Sequence, residues 1–283
     1  MALSLCGQGT VIEVKDFASQ LVPDRQIEIY LPPQYDADRP EGYPVLYMHD
    51  GQNVFDANTA YGGQDWGVDE ALDSLIPLGK VPPMIVVAVW NAQARRTAEF
   101  MPEDPFYQLP DSLQAVFLAR AKEPPFSNDY LRFLVEEVKP YIDSTYPTNP
   151  SPEATGVMGS SFGGLISFYA ITKYPHIFSR AGCVSTHWIV AFNDDYPVIP
   201  FTLIDWFANR LPQPFRHRLW FDYGTITLDM YYAPFQQRMD GYLAAGGYTQ
   251  GENWMTKKYE GAAHNEPAWN ARVDEILEFL WKE

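Results

Sequence analysis

Positive charge is what this sequence has least of: among 283 residues, 20 Lys and Arg face 36 Asp and Glu, for a formal net charge of -16. A surface of that sign repels nucleic acid and anionic membranes unless a local basic patch intervenes. The adjacent basic pairs, Arg95-Arg96 and Lys257-Lys258, are too short to follow a phosphate backbone. Cysteine is nearly absent as well. Cys6 and Cys183 make no disulfide framework and read as buried thiols. His49, His176, His187, His217 and His264 are scattered, and no H-x-x-x-H or C-x-x-C occurs, so neither a metal nor any other cofactor is implied. No apolar run approaches a membrane span, and residues 1–9 are too short and too uncharged for a secretion signal. The chain reads as soluble, either cytoplasmic or exported after loss of a leader.

Aromatic residues, by contrast, are plentiful: 8 Trp, 18 Tyr and 17 Phe leave apolar ring surface to line a pocket once a core has been filled. A chain of this length can bury a sizeable core, and one domain spanning 1–283 is expected. Thr10 to Phe17 and Arg25 to Leu31 alternate like half-exposed strands, the second stopped by Pro32-Pro33. Val45 to Met48, Met84 to Val89, Ala181 to Ser185, Arg218 to Asp222 and Trp254 to Tyr259 read as further strands. The first two of these are continuous apolar runs, as befits strands buried on both faces. Helical spacing marks Val68 to Ile76, Asn128 to Ile142, Phe201 to Arg210, Tyr232 to Ala245 and a terminal amphipathic stretch, Ala268 to Trp281. Residues 92–126 do not read as sheet. Apart from a short helix near Asp111 to Arg120, they form a Pro-, Phe- and Tyr-rich excursion over the strand ends. Strands alternating with helices imply an α/β fold with a mostly parallel sheet covered on both faces. On such a sheet, reactive groups belong at the carboxyl ends of strands.

Ser161 fits that rule. In Met158-Gly159-Ser160-Ser161-Phe162-Gly163-Gly164, it has glycines two residues to either side, whereas Ser160 has Met158 and Phe162 there. A G-x-S-x-G turn between a strand and a helix thrusts its serine outward, and small flanking residues let the backbones meet. The N–H of Phe162, at the start of the new helix, then faces any negative charge developing on a substrate. A serine hydroxyl needs a general base to act at neutral pH. His264, in Gly261-Ala262-Ala263-His264-Asn265-Glu266 between the last strand and the terminal helix, is the best-placed imidazole. A carboxylate must orient it. Asp222 ends its own strand, while Asp229 lies in the loop that follows and can lean across, so Asp229 is favoured. The order serine, aspartate, histidine is that of the α/β-hydrolases.

Taken in order, RQIEIYLPPQY, VLYMHDGQNVF, MIVVAVWN, GSSFGG and GAAHNEPAW resemble the putative-esterase family of α/β-hydrolases, which includes enterobactin esterase-like, esterase D-like and feruloyl esterase-like enzymes and the mycolyltransferases. The likeness runs from about Arg25 to the C-terminus. It implies an α/β-hydrolase fold with a nucleophile at Ser161 and a histidine at His264. The loop after an early strand would supply a second oxyanion N–H, best matched by Gln52 with Gly51 beside it. Relatives commonly carry the acid soon after a D-x-G-[TE] segment. Here that segment is Asp222-Tyr223-Gly224-Thr225, and Ile226 and Thr227 stand where many relatives have Glu or Asp. This departure leaves Asp229 as the nearest carboxylate, or a dyad helped by another group.

Trp66, Trp90, Trp188 and Trp269 fall in or beside loops on the expected active face, where they would either stack on a substrate or pack into the core. Arg95, with Arg96 and Glu99, would form a salt-bridged lid base or a clamp for a substrate carboxylate or hydroxyl. His49 and Asp50 are placed to shape the oxyanion loop, and His187 to reach substrate. The expected activity is serine-dependent hydrolysis of a small carboxylic ester through an acyl-enzyme, on phenolic or sugar esters. Transfer of the acyl group to an alcohol, or a non-catalytic carbohydrate-binding role, are the alternatives. Oligomeric state is not encoded in any motif.

Overall fold

The computed structural model describes residues 7–190 and 196–282. Cys6, and residues 191–195 of the loop expected between 189 and 217, lie outside them. Eight strands form one sheet in the order β1-β2-β4-β3-β5-β6-β7-β8. These are β1 (Thr10–Phe17), β2 (Arg25–Leu31), β3 (Val45–His49), β4 (Ile85–Val89), β5 (Thr155–Ser160), β6 (Arg180–Val184), β7 (Arg218–Tyr223) and β8 (Trp254–Lys258). The pairings β1/β2 and β2/β4 are antiparallel, and all others are parallel. Burial explains the contrast between the two kinds of strand. β1 at the edge is largely exposed, whereas β3, β4 and β5 are buried at every position and, apart from His49 at the end of β3, carry apolar or small residues.

The helices are α1 (Val68–Leu75), α2 (Arg96–Phe100), α3 (Glu103–Phe106), α4 (Asp111–Ala121), α5 (Ser127–Arg132), α6 (Lys139–Thr145), α7 (Phe162–Lys173), α8 (Val198–Ala208), α9 (Ala233–Ala245), α10 (Glu266–Asn270) and α11 (Val273–Trp281). Two apolar clusters result, one on each face of the sheet. Val45 and Tyr47 of β3 join α7, α8 and α9 in the first, while Leu46 and Met48 join α1 and α11 in the second. Helix α11 shows why: Val273, Ile276, Leu277 and Leu280 recur at helical spacing and are all buried, each worth about 1.5–3 kcal/mol on leaving water. Cys183 sits in the first cluster, where burial pushes its thiol well above its ordinary range. Among the described residues no helix is long and apolar enough to cross a membrane.

Several elements depart from their sequence patterns. β2, expected to be half-exposed, is buried at every position but Gln26, since β1 and β4 flank it within the sheet, and residues 92–126, expected to hold one short helix, hold α2, α3 and α4. The stretch expected as one helix from Asn128 to Ile142 contains a π-helical segment, Phe133–Val138, between α5 and α6. Phe133, Leu134 and Val138 within it are buried, so the apolar face continues through the wider turn. The stretch expected from Ala268 to Trp281 is two helices. It begins at Glu266, where the Asn265 side chain accepts from the Ala268 N–H (3.1 Å), and it breaks at Arg272, whose backbone leaves the helical region with its side chain drawn into the core.

Candidate active site

At the carboxyl end of β5 the chain turns directly into α7, and Ser161 is the residue between them, with φ 60° and ψ -122°. A side chain is strained there. The surroundings hold it: the Ser161 N–H donates to the Val184 carbonyl (2.9 Å), and the Ser161 carbonyl accepts from the N–H groups of Leu165 (3.1 Å) and His187 (3.2 Å). The turn also needs its glycines. A Cβ on Gly159 would sit 2.9 Å from the Gly163 carbonyl carbon, and one on Gly164 would sit 2.9 Å from the Val184 oxygen.

His264 reaches over this turn from the loop between β8 and α10. That loop is pinned to the one after β7: the N–H groups of Thr225 and Ile226 donate to the Ala262 carbonyl (3.0 and 3.2 Å), and the His264 N–H donates to Thr227 Oγ1 (2.7 Å). Gly224 allows the approach, since a Cβ there would fall 2.1 Å from the Ala262 oxygen. His264 Nε2 lies 2.9 Å from Ser161 Oγ, and His264 Nδ1 lies 2.5 Å from Asp229 Oδ1. The second oxygen of Asp229 accepts from the Gly224 N–H (2.5 Å) and from Ser185 Oγ (2.7 Å). Asp222 is placed differently. Its oxygens accept from the Ser185 N–H (2.9 Å), Trp220 Nε1 (2.7 Å) and Arg272 Nη2 (2.7 Å) behind the site, and burial raises its carboxyl, with Arg272 opposing.

The loop after β3 completes the front. Asp50 adopts a left-handed conformation (φ 57°) and is gripped by Arg96 through two bonds of 2.6 Å and by Asn91 Nδ2 at 2.6 Å. The turn it caps, Gly51–Asn53, closes with bonds from the N–H groups of Asn53 and Val54, so the Gln52 N–H precedes the first bonded donor, as the Phe162 N–H does in α7. Just behind, His49 is 3% exposed with Nδ1 at 2.7 Å from Tyr130 Oη, and burial pushes its pKa down to about 3. An unfolded histidine takes up a proton near 6.5 that the folded one refuses, so folding stability should fall as pH drops from there towards 3. His49→Gln is expected to lose roughly 2–3 kcal/mol less than wild type between about pH 7 and about pH 4.5 in denaturant titrations, and equal losses would refute this account.

Ser161, His264 and Trp269 line a cleft of about 430 Å³ together with Asp50, Gln52, Asn53, Tyr61, Asn91, Gln93, Arg96 and Glu266. Of the four tryptophans expected either to stack on a substrate or to pack in the core, Trp269 lines this cleft and the other three do not. Trp188 is wholly buried, stacked on Phe221 with Nε1 bonded to Gln236, because the exit from β6 turns inward. Trp66 is 3% exposed and packs behind Trp269, with ring centroids 5.8 Å apart; neither it nor Trp90 lines the cleft. Arg95 turns outward to Glu123 and over the Phe126 ring, while Glu99 pairs with buried Arg25 instead. Burial raises Glu99 to about 7. His187 is also buried, its Nδ1 2.5 Å from Tyr232 Oη and its pKa driven well down by burial and then by His264, so it stays neutral and away from the cleft. The sequence reading missed Tyr61, Gln93 and Glu266 in the lining. Glu266 carried a signal in its place two residues after His264, whereas Tyr61 and Gln93 carried none.

The family described as putative esterase matches residues 18–273. Two curated relatives from Bacillus subtilis are uncharacterized: YbbA is 27% identical over 166 residues, 58% of each chain, and YjcH is 22% identical over 173 residues, 61% of this chain and 60% of its own. The chain thus spans less than two thirds of the length of these relatives. Among solved structures, the enterobactin esterase FES from Shigella flexneri superposes with a TM-score of 0.67 at 18% identity, covering 97% of this chain and 59% of that one. A ferulic acid esterase gives 0.66 at 16%, covering 97% and 98%. An IroE-like serine hydrolase from Shewanella oneidensis gives 0.68 at 19%, covering 96% and 80%. At such identities the likeness is one of fold.

Proposed function

The chain belongs to the putative esterase family of α/β-hydrolases, an ester-hydrolysing group, and from that premise we propose that it is a serine carboxylic-ester hydrolase acting through Ser161, His264 and Asp229. The observation that carries this reading is the unbroken hydrogen-bond chain from Asp229 Oδ1 through His264 to Ser161 Oγ at a strained turn. Ser161 Oγ attacks the ester carbonyl carbon while its proton passes to His264 Nε2, and the carbonyl electron pair moves onto oxygen. The N–H groups of Phe162 and Gln52 receive that oxyanion. As it collapses, the ester C–O bond breaks and the leaving alcohol takes the proton from His264. Water then adds to the acyl-enzyme, giving a proton to His264, and collapse returns that proton to Ser161 Oγ as the acid departs.

The cleft narrows the substrate. Apart from Tyr61, Trp269 and Ser160, the groups around Ser161 and His264 are amides, carboxylates and a guanidinium. Such a lining suits a compact ester whose hydroxyl or amide groups meet the polar side chains while its body lies against the Tyr61 and Trp269 rings, sugar esters before phenolic ones, and gives a long alkyl chain few aliphatic side chains to lie along. A fluorophosphonate should label the wild type and fail to label Ser161→Ala. Among p-nitrophenyl, feruloyl and acetylated-sugar esters, the acetylated sugars should give the highest kcat/KM. A folded wild type that takes no label ends the proposal, and a preference for long acyl chains ends the substrate assignment.

A further inference from the structure

Behind Asp229 lies a polar cluster that the ester chemistry does not itself require. Ser185 Oγ, wholly buried, is within hydrogen-bond distance of three groups: Trp269 Nε1 (3.0 Å), Arg272 Nη2 (2.8 Å) and Asp229 Oδ2 (2.7 Å). An indole nitrogen and a guanidinium only donate. They occupy both lone pairs of the hydroxyl, so its single proton must point at Asp229. The same oxygen of Asp229 also takes the Gly224 N–H (2.5 Å), which leaves Oδ1 to His264 Nδ1. The remaining hydrogen of Arg272 Nη2 goes to Asp222 Oδ1, which also accepts the Ser185 N–H and fixes that residue's backbone. The guanidinium is 4.7 Å over the Tyr259 ring, and this contact, with the broken helix at Arg272, holds its direction.

We propose that Ser185, Trp269 and Arg272 form a relay of positioning residues that locks Asp229 as an acceptor and thereby sets the tautomer and basicity of His264. Every donor facing Asp229 has one permitted direction, so His264 carries its proton on Nδ1 and presents the Nε2 lone pair to Ser161. The relay also moderates the carboxylate: a hydroxyl polarised by a cation draws charge from Asp229, and His264 releases its proton more readily after each transfer. The other groups facing the His264 ring are His187 (centroids 6.2 Å apart), Tyr232 (5.7 Å) and Trp269 (5.1 Å), with Glu266 and the Asp50–Arg96 ion pair in the same cleft. His187, buried and neutral, and Tyr232 bring no charge, and Asp50 is held by Arg96, which leaves Asp229 as the carboxylate bonded to the ring.

This rests on the hydrolase reading, and its test separates the two. Turnover of p-nitrophenyl acetate is followed across pH, and the far-downfield proton resonance of the His264–Asp229 bond is recorded in the resting protein. Ser185→Ala is expected to lower kcat about 10- to 100-fold with KM within about twofold. With the hydroxyl gone, Asp229 holds the imidazolium more tightly, so the acidic limb of kcat/KM should move up by about half to one pH unit, and the resonance should shift. Trp269→Phe keeps a ring in place and removes the indole N–H; the limb and resonance should move in the same directions by less. Either variant, folded by near-ultraviolet circular dichroism yet unchanged in limb and resonance, overturns the relay, and Trp269→Phe decides alone should Ser185→Ala not fold. Failure of the hydrolase reading looks different: wild type would turn over no ester and take no fluorophosphonate, while the resonance and its response to these substitutions would still report the relay.

Discussion

Ser161→Ala, His264→Ala and the double variant are expected to hydrolyse a p-nitrophenyl ester at one common residual rate, about a million-fold below wild type in kcat. In the proposed mechanism the two side chains act as a unit. Without the imidazole 2.9 Å away, the Ser161 hydroxyl keeps its proton and is a poor nucleophile; without the hydroxyl, the imidazole has nothing to activate at the carbonyl. Their effects therefore do not add. The residual rate, about 10³- to 10⁴-fold above water, would come from the N–H groups of Phe162 and Gln52 and from substrate positioning, which neither substitution touches. Single-turnover kinetics on the three variants reads this directly. A double variant slower than wild type by the product of the two separate losses would show that Ser161 and His264 work independently, and a His264→Ala protein within tenfold of wild type would remove the histidine from the mechanism.

The architecture was legible because burial writes itself into composition. β3, β4 and β5 have apolar or small residues at every position but His49 since both sheet faces are covered, and the strand-to-helix turn at Ser161 needs glycine where a Cβ would strike the Gly163 backbone. Local rules place such elements, and asking which loops lie at strand ends points to Ser161, His264 and Asp229, whose side chains the fold brings within hydrogen-bond distance. What local rules miss is the direction of a side chain whose partner is far along the chain. Trp188 follows β6 as a surface residue would, yet Gln236 supplies an acceptor for its indole inside the core and the ring turns inward. Arg95 and Arg96 are neighbours in sequence, but Glu123 claims one and Asp50 the other, so only Arg96 reaches the cleft. Arg272 looks like any cation on the polar side of an amphipathic helix. Its burial follows from Asp222 and Ser185, 50 and 87 residues away in sequence, and that demand also breaks the terminal helix.

Asp229→Asn is expected to cost about 10⁴-fold in kcat at neutral pH while leaving the fold intact. The direction follows from which atoms face the two carboxylate oxygens. Oδ2 receives the Gly224 N–H and the Ser185 hydroxyl, both donors, so the asparagine must put its carbonyl oxygen there. Its amide nitrogen then takes the place of Oδ1, 2.5 Å from His264 Nδ1, and donates to it. His264 is forced to carry its proton on Nε2, which turns an N–H toward Ser161 Oγ where a lone pair is needed. The hydroxyl is left without a base although every heavy atom stays in place. Nitrogen-15 NMR of the ring should report the exchange, with Nδ1 protonated in wild type and Nε2 in the variant. Near-wild-type turnover, or an unchanged tautomer, would mean that Asp229 does not orient the histidine and that the buried cluster at Ser185 and Arg272 serves the fold rather than the reaction.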